Sequence, residues 1–293
     1  QEMSRGLGDV YKRQLKKTPK GAPSTDASVL EELSKEHDLP KYILKYRELE
    51  KIRSTYVDGL IPEVTKHNKI HTHFNLFGTA TGRLSSEKPN LQNIPNKTEL
   101  GQKIRDFFIS NPNFSFIIAD YSQIELRVLA HLSQDSTMIE ILKNKKSDIH
   151  SETASRIFNV PIGDVTSDMR RKAKEVNFGL IYGMEAFGLS KSLDIEQKEA
   201  SQLIESYFSQ FPEIKGFLDN IVLKATKDSF TETLIGRKRY IRELNSSNFQ
   251  VKAAGKRIAM NAPIQGTAAD IMKIAMIKVL HKIKELDQTQ LLL

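Results

Sequence analysis

Cysteine is absent from this 293-residue chain, and so is tryptophan. The first absence excludes disulfides and thiolate metal sites and fits a reducing compartment. No apolar run reaches the ~18 residues from which a membrane-spanning helix is read. No secretory leader is visible at the start. Acidic residues are in the minority: 36 Asp and Glu stand against 44 Lys and Arg, for a net charge of +8. A surplus of that sign favours an anionic partner, and nucleic acid is the commonest. With 39% hydrophobic and 27% charged residues, the chain has the composition of a folded protein, not a disordered one. Its length suits one large domain or a few smaller subdomains with cores of their own.

What is present is organised around Phe114–Arg127, FSFIIADYSQIELR. Phe114, Phe116, Ile117, Ile118 and Ala119 form a short apolar run that predicts a buried strand. Asp120 ends the run. Ser122 and Glu125 have capping-box spacing, and Ile124, Val128, Leu129 and Leu132 recur at a helical period. An acid where a buried strand meets a helix is placed for chemistry, and a carboxylate is a hard ligand suited to Mg²⁺. On spacing alone, Asp120 reads equally well as a turn residue and Glu125 as a cap.

A second stretch is Arg170–Gly183, RRKAKEVNFGLIYG. Thr166, Ser167 and Asp168 supply N-terminal caps, and Gly183 supplies a stop. Arg170, Lys174, Phe178 and Tyr182 are four apart, so each step advances only ~40° around a helix and all four share one stripe. Two cations followed by two rings match a nucleoside triphosphate, with cations for phosphate and rings for base and sugar. A half-buried helix with snorkelling cations fits the same pattern.

Around these lie weaker signals. Lys16–Gly21 is a basic, turn-prone loop. A helix carrying Val29, Leu30 and Leu33, capped by Ser24 or Thr25, is followed by a second with Ile43, Leu44, Tyr46, Leu49, Ile52 and Tyr56 on its apolar face. Lys69–Phe77 predicts a strand, with His71 and His73 on one face; with no third ligand nearby, a polar sheet face is the better reading than a metal site. Gly78–Ser86 and Pro89–Pro95 are polar loops whose Arg83, Asn90, Gln92 and Asn93 can hydrogen-bond minor-groove acceptors. Leu189–Phe230 is helical, with Ile204, Tyr207, Phe208, Phe211, Ile214 and Phe217 as core. Thr231–Ile241 reads as a hairpin around Gly236, tipped by Arg237, Lys238 and Arg239, which make a backbone contact or a solvated turn. A long helix spans Ala253–Lys284, with a polar stripe of Arg257, Asn261 and Gln265. Pro263 and Gly266 are expected to kink or strain it.

Asp120-Tyr121-Ser122-Gln123-Ile124-Glu125-Leu126-Arg127 resembles the first catalytic motif of the bacterial DNA polymerase I family, the family A DNA polymerases. Arg170–Gly183 resembles that family's fingers helix, and the loops at 78–95 and the stripe at 257–270 resemble two further motifs in the right order. The resemblance covers roughly residues 15–293. It implies an α+β right-hand polymerase fold with a partial helical thumb (15–60), an antiparallel-sheet palm (61–131 and 249–293) and helical fingers (132–248). Residues 1–14 resemble nothing in the family and read as a non-native leader.

The resemblance implies a nucleotidyltransferase that extends a DNA primer along a template, working in replication and repair as a monomer in the bacterial cytoplasm. Asp120, with the Tyr121 carbonyl, is expected to bind two Mg²⁺ ions. Arg170 and Lys174 are expected to hold the triphosphate, with Lys174 as general acid. Phe178 is assigned to the sugar, Tyr182 to the templating position, and Gln123 and His150 to the nucleotide. Glu125 is expected to exclude a ribose 2′-hydroxyl and bond Tyr182. Arg83, Asn90, Gln92, Asn93, Arg257, Asn261 and Gln265 are expected to contact DNA. Both ends of the chain look cut. Leu291-Leu292-Leu293 resembles the start of the strand before the family's His-Asp-Glu turn, which carries the second metal aspartate, so the chain is expected to be catalytically incomplete. Two rivals remain. One is a single-subunit RNA polymerase, which Glu125 argues against, and the other is a non-catalytic DNA-binding remnant.

Overall fold

The computed structural model describes residue 17, residues 21–96 and 98–286, and residue 289. The expected leader, most of the basic loop and Leu291–Leu293 lie outside the described residues. The chain divides into two units, one of residues 1–75 and 86–116, the other of residues 76–85 and 117–293.

In the smaller unit, α1 (Ala27–Leu33) buries Val29, Leu30 and Leu33 as the period predicts. Its cap is Asp26, with neither Ser24 nor Thr25 in that position, because the Ser24 hydroxyl is taken by the Asp26 N–H at 3.2 Å. Helix α2 (Leu39–Ile52) carries Pro40 in its first turn, where a missing N–H costs nothing. Tyr46 and Leu49 do not share the buried face expected of them. They are exposed, beside Tyr42, while Ile52 packs against a cluster of Tyr56, Leu60 and Ile104. The expected strand over 69–77 shortens to β1 (His73–Asn75), which pairs with β2 (Ser85–Glu87). Helix α3 (Glu99–Asp106) is capped by the Thr98 hydroxyl, which accepts from Gly101 N–H at 3.2 Å.

The larger unit is helical, with one large core and a smaller cluster of Ala225, Ile241, Leu244 and Ala259. Helices α4 (Ile124–Ser133), α5 (Ser136–Lys143), α6 (Ile149–Phe158), α7 (Ser167–Ile181), α8 (Ala186–Leu193), α9 (Gln197–Gln210) and α10 (Pro212–Asp228) pack Leu126, Leu129, Met138, Ile149, Ile181, Tyr207, Phe211 and Ile214 together. The helical stretch expected over 189–230 is therefore broken into three, at Asp194 in the left-handed region and at Pro212. The hairpin is present as β3 (Phe230–Glu232) and β4 (Lys238–Tyr240), antiparallel, with Gly236 at φ +87° in the turn. Helix α11 (Phe249–Ile283) runs unbroken for 35 residues, so Pro263 does not end it. Among the described residues no helix is long and apolar enough to cross a membrane.

One expectation is corrected here. Residues 114–119 are not a buried strand. They carry no ladder, and Ile117 and Ile118 are 91% and 89% exposed. Strand propensity is realised only against a partner, and no strand among the described residues pairs with this run.

Asp135 is fully buried at the start of α5, where Oδ1 accepts the Met138 N–H at 2.9 Å. Burial, reinforced by the facing Glu213 carboxyl on α10, pushes its pKa up to about 6, against the pull of Met138.

Candidate functional site

Glu125 lies one residue into α4 and is only 6% exposed, rare for a glutamate. The capping box expected of it is not made. Gln123 occupies the cap position in the left-handed region (φ 56°, ψ 40°), and no side chain caps there. The Glu125 carboxylate is engaged elsewhere. Oε1 accepts from Arg83 Nη2 and is ion-paired with it, and Oε2 accepts from the Tyr182 hydroxyl at 3.0 Å. Three residues far apart in sequence thus meet on one buried carboxylate. The Tyr182 hydroxyl is raised above its ordinary pKa, first by burial and then by the Glu125 charge and hydrogen bond.

Helix α7 presents Arg170, Lys174 and Phe178, with Tyr182 as its C-terminal cap. The Thr166 hydroxyl caps its start, accepting from Met169 N–H at 3.2 Å. Its end is a Schellman turn: Met184 N–H reaches Gly179 O at 2.8 Å and Gly183 N–H reaches Leu180 O at 3.0 Å. Gly183 has φ +66°, and a Cβ there would lie 2.9 Å from Arg257 Cγ. That glycine therefore serves both the turn and the close approach of α11.

Arg170 forms a two-pronged ion pair that spacing did not reveal. Its Nε and Nη2 donate to Asp148 Oδ2 and Oδ1 at 2.8 and 3.1 Å. Asp148 also caps α6 through the Ser151 N–H at 2.9 Å. Burial raises the Asp148 carboxyl, but Arg170 and Ser151 outweigh it and hold the pKa at about 2. His150, assigned to the nucleotide by resemblance, is buried at 5% exposure. Its ring stands 5.6 Å from that of Phe178, and Nδ1 lies 3.2 Å from Asn177 Nδ2. Burial lowers its pKa, Arg170 and Lys174 add to the effect, and Asp148 opposes it. A neutral ring that accepts at Nδ1 carries its proton on Nε2. Asn177 is fully buried on an otherwise apolar helix face; a buried amide in such a place signals a specific partner, here His150 and Thr153.

On α11, Arg257 is exposed while Asn261 and Gln265 are half-buried. The Asn261 Nδ2 is buried and has no hydrogen-bond partner among the described residues. An unmet buried donor is costly, and a bound acceptor would satisfy it.

Asp120 and Tyr121 are exposed in the irregular segment just before α4. Among the described residues no cluster of three His, Asp or Glu is arranged to hold a metal. The donors present, an accessible carboxylate and a neighbouring carbonyl, are hard oxygens of the kind Mg²⁺ takes along with substrate phosphates. They fit that ion as part of a ligand set. Gln123 is half-buried and acts on the backbone as the α4 cap. Arg127 fixes the same turn, donating to Ser122 O at 3.0 Å and Leu142 O at 2.9 Å.

Asn90, Gln92 and Asn93 belong to the smaller unit and are exposed there. Their loop is built from within. Asn90 Oδ1 accepts the Gln92 N–H at 3.0 Å, Ser86 Oγ accepts the Leu91 N–H at 2.9 Å, and the Tyr56 hydroxyl donates to Asn93 O.

A sequence profile described as DNA polymerase family A matches residues 2–293. The DNA polymerase I of Caldicellulosiruptor bescii is 50% identical over 272 residues, 92% of this chain and 32% of that protein. That of Bacillus subtilis is 49% identical over 274 residues, 92% of this chain and 31% of that protein. The thermostable DNA polymerase I of Thermus thermophilus is 48% identical over 280 residues, 95% of this chain and 34% of that protein. The chain thus spans about a third of the length of the curated relatives it matches. Among solved structures, the POL domain of Pol1 from M. smegmatis, in complex with DNA primer-template and dNTP, is similar with a TM-score of 0.86 and 44% identity, over 96% of this chain and 50% of that one.

Proposed function

The chain belongs to DNA polymerase family A, and on that premise we propose that it carries part of the site for template-directed DNA synthesis on a primed DNA template. The observation that supports this most is the buried Glu125 carboxylate, held by Arg83 and Tyr182 at the end of a helix whose outer stripe is Arg170, Lys174 and Phe178. In the proposed reaction the primer 3′-hydroxyl gives up its proton to water, its oxygen attacks the α-phosphorus of a deoxynucleoside triphosphate, and the bond to pyrophosphate breaks. Arg170 and Lys174 bind the phosphates, the His150 Nε2 proton is shared with a phosphate oxygen, and Lys174 Nζ gives a proton to the leaving pyrophosphate. Phe178 packs on the sugar. Glu125 fills the space a 2′-hydroxyl needs, and Tyr182 stands at the templating base. Arg83, Arg257, Asn261 and Gln265 contact the minor groove, as do Asn90, Gln92 and Asn93. Asp120 and the Tyr121 carbonyl hold Mg²⁺, which when bound supplies charge stabilisation at the reacting oxygens.

Residues 15–60 correspond to part of a thumb, 61–131 and 249–293 to palm, and 132–248 to fingers. The reading includes a monomeric enzyme of the bacterial cytoplasm, working at the nucleoid. Its test is primer extension with Mg²⁺ and the four deoxynucleotides, by this chain and by a version continued through the family's His-Asp-Glu turn. Template-directed extension by the longer version supports the reading. Failure of both, with primed DNA still bound, leaves a DNA-binding module in its place.

A further inference from the structure

The loop 78–83 that delivers Arg83 reads Gly-Thr-Ala-Thr-Gly-Arg and has almost no side-chain mass with which to anchor itself. Its internal bonds are few. The Thr79 hydroxyl donates to Arg83 O at 2.7 Å, and the Gly82 N–H reaches Thr79 O at 3.3 Å. Yet Arg83 has to arrive at one oxygen of a buried carboxylate, and the accuracy for that comes from outside the loop.

It comes from the hairpin. Gly82 stands at φ +79°, and a Cβ built there would fall 1.8 Å from Arg237 Nη1 and 2.2 Å from Cζ. The Arg237 guanidinium therefore occupies the space that any other residue at 82 would fill. It is itself fixed. Nε donates to Asp270 Oδ1 at 2.9 Å and Nη2 to Gly266 O at 2.9 Å, both on α11. Its backbone is tied to Thr233, through Arg237 N–H to the hydroxyl at 3.1 Å and Thr233 N–H to Arg237 O at 3.0 Å. The hairpin is tied to α11 through Leu234 N–H to the Thr267 hydroxyl at 3.0 Å. Gly266 lets these parts close up, since a Cβ there would meet Thr233 Cγ2 at 2.7 Å and the Thr81 carbonyl at 3.5 Å. Arg237 is thus neither a free hairpin tip nor a backbone contact waiting for DNA. Two of its faces are spent on α11 and a third on the glycine before Arg83.

We propose that Arg237 is a positioning residue for Arg83, with its guanidinium, clamped by Asp270 and the Gly266 carbonyl, serving as the template against which the 78–83 loop sets Arg83 on Glu125. What Arg83 does for DNA rests on the polymerase reading; the positioning does not. A planar fork with several donors can hold a carboxylate and a carbonyl at once while presenting its face to a backbone, which a lysine cannot do.

The test pairs amide hydrogen exchange with DNA affinity. Arg237→Ala combined with Asp270→Asn removes the clamp without leaving a lone charge beside α11. Exchange across 78–84 is expected to speed up while exchange in α7 stays as it was. Affinity for a primed duplex is expected to fall about tenfold, the worth of one hydrogen bond to a charged group. Adding Arg83→Ala should then cost nothing further. Gly82→Ala, which displaces the guanidinium directly, should give the same pattern, and it decides the matter if the first variant does not fold. Unchanged exchange at 78–84, or losses that add to those of Arg83→Ala, would overturn the proposal. If the parent chain binds no primed DNA, the polymerase reading fails, and exchange alone still decides whether Arg237 sets the loop.

Discussion

Glu125 receives two donors and almost no water, and both donors come from segments that the sequence keeps 42 and 57 residues away. Removing its charge acts on each partner. With Glu125→Ala, the Tyr182 hydroxyl loses the charge and hydrogen bond that raise it. Its pKa is expected to fall toward the ordinary tyrosine value, as read by ultraviolet titration against a Tyr182→Phe control. In the version continued through the family's His-Asp-Glu turn, the same substitution should raise ribonucleotide incorporation at least about tenfold relative to deoxynucleotides in primer extension, the scale of losing one shape-determining contact. Unchanged discrimination would remove Glu125 from the role of gate.

Asp148 gives a second residue-scale prediction. Asn at 148 still caps Ser151 but frees Arg170 and removes a negative charge from beside it. Nucleoside triphosphate is expected to bind a few-fold tighter; weaker binding would mean that the ion pair aligns Arg170 and does not compete for it. The sign in acid is also fixed. A carboxyl held at about 2 adds stability that is fully present above its unfolded value. That stability is lost as pH falls from about 4 through 2, so the parent should lose more melting temperature than Asp148→Asn across that window. The stripe of Arg170, Lys174, Phe178 and Tyr182 was legible because helical spacing is a local property. The Asp148 pair was not, since a cap residue's second partner depends on how two helices pack.

Helix ends carry the next set of consequences. Gly183 was legible as a stop, and the Schellman bonds bear that out. Its closeness to Arg257 was not legible, since it depends on how two helices distant in sequence pack. Gly183→Ala meets both a left-handed backbone and Arg257 Cγ at 2.9 Å. It should cost about 1–2 kcal/mol in chemical unfolding, more than an alanine placed at the open Gly216. The capping box at Ser122 was legible but wrong, because the Arg83 and Tyr182 bonds claim Glu125 and leave the turn to a left-handed Gln123. Asp135 shows what packing adds. Its raised pKa means that the folded chain holds a proton the unfolded chain has released, so stability falls as pH climbs from about 4 to about 6. Asn at 135 can still cap Met138 without the charge. Asp135→Asn should therefore melt higher than the parent at pH 7, by about 1–3 kcal/mol in stability, and the gap should close toward pH 4. A lower melting point at pH 7 would mean that the carboxylate earns its place as a charged cap.

For the molecule as a whole, the sequence motifs order correctly along the chain and the helical architecture follows from apolar period and caps. The strand expected at 114–119 did not follow, because a strand is a relation between two segments and propensity describes only one. His71 and His73 are both exposed, and only His73 falls within the shortened strand. Charge is the one property of the whole that composition gives directly. With a net charge of +8, affinity for primed DNA should fall steeply with added salt, with log K linear in log salt; a flat dependence would mean that the basic surplus faces elsewhere.

The most direct measurement is the affinity of this chain for a labelled primed template in Mg²⁺, with and without each of the four deoxynucleoside triphosphates. If the helix stripe, Glu125 and Arg83 form a nucleotide site read against a template, the complementary deoxynucleotide alone should tighten the complex, and its ribonucleotide counterpart should not. Equal tightening by all four, or by none while DNA is bound, would contradict that reading and leave a chain that holds nucleic acid without selecting a nucleotide.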